Sequence, residues 1–96
     1  MTFVELQDAV VVLGISDRFS LRELKQRYRL LMKRHHPDVA GDADAERARR
    51  ITAAYRLLCN YIETYQFTMT EDEFLQHNPE ERLRRQFAGD PLWAGR

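Results

Sequence analysis

An all-α fold is predicted by three features of the sequence: recurrent helix-start pairs, apolar residues spaced by three and four, and no stretch that alternates with period two. Four sites carry a Ser, Thr or Asn followed three residues later by Glu, namely Thr2/Glu5, Ser20/Glu23, Thr70/Glu73 and Asn78/Glu81. In such pairs each side chain satisfies a backbone N–H that the helix start leaves open. Pro79 strengthens the last pair, because a proline in the first helical position has no N–H to leave unpaired. A further start lies at Asp42 or Asp44, before a stretch with neither Gly nor Pro until Pro79. Five helices are therefore expected, near 3–13, 21–35, 44–66, 71–77 and 79–88.

The first helix contains Val10, Val11 and Val12, which are β-branched. Their run is continuous and ends at Gly14, a natural helix stop, so a short helix buried on most of its circumference explains it better than a strand. In the second helix Leu21, Leu24, Tyr28, Leu31 and His35 form one stripe, and in the third Ile51, Tyr55, Leu58, Ile62 and Tyr65 form another. The link between them is short, which predicts an antiparallel hairpin with Leu24, Leu31, Ile51, Tyr55 and Leu58 buried inside it. Residues 1–66 make the core of the domain, and 67–96 a helical extension and tail. There Phe74, Leu75, Leu83, Phe87 and Trp93 recur at helical spacing and are expected to pack onto the third helix, while Gly89-Asp90-Pro91 marks a turn into an irregular tail.

A chain of 96 residues, 44% hydrophobic and 31% charged, suits one globular domain. Its longest apolar run, Ala9 to Leu13, falls far short of the roughly 20 residues that span a bilayer. With no signal-peptide pattern at its start, the chain is expected to be cytoplasmic, with no membrane partner. A single cysteine, Cys59, cannot form an internal disulfide and fits a reducing compartment. Fifteen basic and fifteen acidic side chains cancel, so net charge predicts no nucleic-acid partner. Their distribution says more. Between Arg22 and His36 stand six Lys or Arg residues and one acid, Glu23. Arg22, Lys25, Arg29, Lys33 and His36 follow at intervals of three or four along one helical face, a stripe suited to steering an acidic surface in a salt-sensitive way.

The stripe runs into His36-Pro37-Asp38, with Val39 and Gly41 beyond. By itself the tripeptide is an ordinary loop, since proline stops a helix and pushes the preceding residue out of the helical region. Its setting adds more. The segment Tyr28-Arg-Leu-Leu-Met-Lys-Arg-His-His-Pro-Asp38, preceded by Leu13-Gly14-Ile15 and followed by Ile51-Thr-Ala-Ala-Tyr55-Arg-Leu-Leu58, resembles the J-domain of the DnaJ family. In that family a short helix ends in Leu-Gly, a basic helix ends in His-Pro-Asp, and a third carries Ile-x-x-Ala-Tyr-x-x-Leu. The likeness covers residues 5 to 60.

The resemblance implies a monomeric module that binds a DnaK-type ATP-dependent chaperone, at its nucleotide-binding domain and linker, and stimulates its ATP hydrolysis. It implies no catalysis by the module itself and no cofactor. Carried over by position, His36, Pro37 and Asp38 are the activating residues, and Lys25, Tyr28, Arg29 and Lys33 the docking residues. Pro37 would hold the loop shape, Asp38 would offer an acceptor to an Arg of the partner, and His36 would orient the loop by hydrogen bonding. The chain departs from the family pattern at Val39 and Ala40, where a basic residue and Asn are common, at Leu30, often Arg or Lys, and at Ala48, often Phe. After Leu58 the apolar period continues to Tyr65, which lengthens the third helix by about two turns.

Three other readings compete. A helix-turn-helix nucleic-acid binder also has a basic helix, but would offer base edges more amide and hydroxyl groups than Gln26 alone. A degenerate J-like scaffold would keep the fold without the activity. A metal site at His35, His36, Asp38 and Cys59 is disfavoured because adjacent helical residues point about 100° apart. Cys59 lies beside the apolar stripe, as an inert buried thiol would.

Overall fold

A computed structural model describes residues 1–35 and 42–88. It is helical, with no strand among the described residues: α1 (Phe3–Leu13), α2 (Leu21–Arg34), α3 (Asp42–Thr64), α4 (Glu71–His77) and α5 (Pro79–Ala88). The chain divides into two compact units, Met1–Tyr65 and Gln66–Arg96.

Helix starts follow the local code in most places. Thr2 and Glu5 exchange both bonds, at 3.1 and 3.2 Å, as do Ser20 and Glu23 at the same distances. Thr70 accepts from the Glu73 N–H at 3.3 Å. The pair expected at Asn78/Glu81 does not form. Asn78 instead turns its amide back to the Phe74 carbonyl at 2.8 Å and closes α4, while its own carbonyl accepts the N–H groups of Glu81 and Arg82. α3 begins two residues before the expected position and ends two before it, at Thr64. There the Thr64 hydroxyl donates to the Asn60 carbonyl at 2.9 Å and Tyr65 N–H reaches only back to Ile62, a tightening that ends the regular ladder.

α1 ends at Gly14, whose φ of 66° and ψ of 32° are left-handed, with its N–H shared between the carbonyls of Val10 and Val11. The carbonyl of Leu13 is taken by Arg27 Nε of α2 at 2.8 Å. A Cβ at residue 14 would stand 3.0 Å from that guanidinium, so glycine serves both the backbone angle and the approach of Arg27. Gly14→Ala is expected to cost about 1–2 kcal/mol from the left-handed backbone alone, read by chemical denaturation. A loss under half of that would mean the turn relaxes freely.

In the first unit α2 and α3 run antiparallel: His35 meets Asp44, Met32 meets Thr52, and Tyr28 meets both Thr52 and Tyr55. α1 packs mainly on α3 and less on α2. The core joins Ala9, Leu13, Leu24, Leu31, Ile51, Ala54 and Leu58, with Leu13 and Leu24 fully sealed from solvent. Leu24, Leu31, Ile51 and Leu58 are buried as the stripes predict, whereas Tyr55 is half-buried. The expectation that α1 is buried on most of its circumference is corrected: only Ala9 and Leu13 are buried, and Val11 is 77% exposed. Two neighbouring helices can cover one face of α1 and no more.

The second unit is a pair of short helices, α4 and α5, in contact. Arg85 Nη1 lies 2.6 Å from Glu71 Oε1 and joins them, and this holds the Glu71 carboxyl below its ordinary range. Neither helix has a buried residue; Phe74, Leu83 and Phe87 are exposed.

Candidate functional site

α2 owes its place to two sets of side chains on opposite faces. Leu24 and Leu31 anchor it in the core, and the helical period then turns Arg22, Lys25, Arg29 and Lys33 outward, where all four are exposed. Glu23 in the first turn and Lys33 and Arg34 in the last suit the helix dipole. Arg29 Nε donates to the Lys25 carbonyl at 3.3 Å, which lays its guanidinium along the helix beside Lys25. Among the described residues no carboxylate pairs with Lys25, Arg29 or Lys33, so the stripe keeps its field.

Tyr28 stands apart from these three. Its ring stacks on Tyr55 of α3, with centroids 4.0 Å apart and planes within 6°, and its hydroxyl lies 3.4 Å from that of Thr52. It is half-buried, so its main contacts are with the hairpin itself. The Tyr55 phenol is pushed above its ordinary range, first by the neighbouring Cys59 thiol and then by burial. Cys59 is half-buried and free of any disulfide.

Arg27, one of the six basic residues of this segment, is committed to the Leu13 carbonyl and holds α1 against α2. Its charge groups it with the other basic residues of the segment, and the Leu-Gly ending of α1, which leaves a carbonyl open, is the one signal of this bond in the sequence. His35 likewise does more than its place in the apolar stripe implies. It caps α2, and its Nδ1 lies 3.0 Å from Asp44 Oδ1 in the first turns of α3. Nothing in the spacing pairs these two residues before the hairpin closes.

His36, Pro37 and Asp38, and likewise Val39, Ala40 and Trp93, lie outside the described residues. α2 ends and α3 begins on either side of the tripeptide, which places it at the connecting end of the hairpin in chain order. Among the described residues no three His, Cys, Asp or Glu side chains cluster as metal ligands would, and no helix is long and apolar enough to cross a membrane.

A family model, the DnaJ domain, matches residues 8–65. Among curated proteins the chain is similar to the Curved DNA-binding proteins of Escherichia coli (strain K12 / DH10B), Citrobacter koseri and Shigella boydii serotype 18. Each is 29% identical over 85 residues, covering 88% of this chain and 26% of the relative. The chain therefore spans about a quarter of the length of these relatives. No solved structure gives a significant match.

Proposed function

Because the chain belongs to the DnaJ-domain family, we propose that it is a co-chaperone module, one that recruits a DnaK-type chaperone through α2 and stimulates its ATP hydrolysis through His36-Pro37-Asp38. The observation that carries this reading is the exposed row Lys25, Arg29 and Lys33, without a carboxylate partner among the described residues, on the solvent face of the helix that leads to the tripeptide. A basic row of this kind attracts an acidic surface and orients it, and the loop beyond then acts on the partner. The module itself moves no proton on ATP. Binding favours the hydrolysis-competent state of the chaperone, whose own groups do the chemistry. Tyr28 contributes by stiffening the hairpin under the row, with its ring edge left for the partner.

The deciding experiment is single-turnover ATP hydrolysis by a DnaK-type chaperone with and without the protein. A clear acceleration is expected, and none with any cognate chaperone would point to a J-like scaffold without activity. Lys25→Ala and Arg29→Ala are each expected to raise the half-saturating concentration about threefold or more through slower association, with the melting temperature nearly unchanged. Raising salt should do the same to the unaltered protein, since the screening length falls to about 3 Å at 1 M. Salt-independent binding would exclude this face.

DNA binding is the second reading, favoured by the basic row and by the name of the relatives. Titration of curved and straight duplexes separates the two: the chaperone reading expects no retardation at concentrations that saturate hydrolysis, whereas a nucleic-acid binder would show affinity falling steeply with salt.

A further inference from the structure

We infer that the hydrogen bond between His35 and Asp44 is a positioning strap, which ties the end of α2 to the start of α3 and so sets how the intervening chain is presented to the chaperone; this rests on the chain being a chaperone-activating module. Three observations lead to it. His35 is the last residue whose place α2 dictates: its N–H donates to the Leu31 carbonyl at 3.0 Å while its φ of −119° and ψ of 26° already leave the helix. Asp44 is the third residue of α3, and the two are nine apart in sequence yet 3.0 Å apart at Nδ1 and Oδ1. Their side chains are 20% and 31% exposed, so the bond is partly shielded from competing water.

The placement matters more than the strength. Glu46 with Arg49, Glu73 with His77 and Glu81 with Arg84 each join residues of one helix, and tie nothing that the helix had not already fixed. His35 with Asp44 joins two helices across a short connection, where each conformation removed from the ends is removed from everything between them. The polarity also fits. Asp44 accepts beside the N–H groups that begin α3, and His35 donates beside the carbonyls that end α2, so each helix end favours the side chain it carries. Arg47 and Arg50 line the same depression as His35, together with Val12, Leu31 and Ile51. Neither His35 nor Asp44 belongs to the apolar core, so the pair can be broken without opening a cavity.

The asparagine amide nitrogen occupies the place of imidazole Nδ1, which makes a discriminating set of variants possible. His35→Phe keeps a ring and loses the donor, Asp44→Ala loses the acceptor, and His35→Asn keeps the donor. At saturating protein, His35→Phe and Asp44→Ala are each expected to lower the maximal stimulation of hydrolysis about three- to tenfold, and the double variant no further. His35→Asn should retain most of it. The half-saturating concentration should stay put in all four, because Lys25 and Arg29 are untouched; a merely structural role would move both quantities together. Full stimulation by His35→Phe, additive losses in the double variant, or loss in His35→Asn equal to that in His35→Phe would each overturn the strap. A wild-type protein that stimulates nothing overturns the chaperone reading itself, an outcome separate from a wild-type protein that stimulates beside indifferent variants.

Discussion

Asp38→Asn is expected to lower stimulation of the chaperone's ATP hydrolysis by at least about tenfold, the loss that follows when a hydrogen bond to a charged partner is replaced by a neutral one. Asparagine keeps the size of the side chain and one acceptor oxygen, so what it removes is the negative charge offered to a cation of the partner. The fold should not notice. Among the described residues the core of the first unit is carried by α1, α2 and α3, and the melting temperature of Asp38→Asn should match that of the wild type. His36→Gln is expected to act in the same direction. Single-turnover hydrolysis at saturating protein is the measurement, and full activity in Asp38→Asn would reduce the tripeptide to a connection between helices.

The largest effect on stability is expected at Leu24. It is wholly buried beside Leu13 and Leu31, where α1, α2 and α3 meet, and Leu24→Ala should cost about 3–5 kcal/mol. A small domain has roughly 5–15 kcal/mol in all, so this substitution approaches the whole of a modest stability. Leu31, still 8% exposed, should cost less on truncation, nearer 2–3 kcal/mol. Urea titrations of both variants test the order as well as the size. If Leu31→Ala proved the more damaging, the centre of the core would lie nearer the hairpin connection than the burial of Leu24 indicates.

The legible parts of this molecule are the local ones. Thr2, Ser20 and Thr70 start helices because a capping side chain needs only the three residues that follow it, and Leu24, Leu31, Ile51 and Leu58 are buried because helical period alone puts them on one face. The row Lys25, Arg29 and Lys33 was legible for the same reason. What could not be read depends on residues far apart in the chain. Arg27 resembles its basic neighbours until α1 comes close enough to offer the Leu13 carbonyl. Tyr28 has the spacing of both a core and a docking residue, and only the approach of Tyr55 assigns its ring. Asn78 had two helices to serve and bonded back to Phe74, a choice that no single helix-start rule anticipates. Val11 is exposed although apolar, because hydrophobicity tells which residues can be covered, and the number of neighbouring helices decides which are.

The packing of α1 chiefly on α3, and less on its chain neighbour α2, has a consequence for the order of events during synthesis. A chain leaves the ribosome from its N-terminus at roughly 5–20 residues per second, so α1 emerges several seconds before Leu58 can meet it. In that interval Leu6, Ala9, Val10 and Leu13 have no α3 to lie against, and the nascent chain carries an amphipathic stretch with nowhere to settle. Docking then comes as a late, long-range event, slower than closing the α2–α3 hairpin, whose contacts lie nearer in sequence. Synonymous changes that slow decoding between Arg34 and Leu58 should lengthen this window and raise aggregation of the nascent chain, while leaving the finished protein identical.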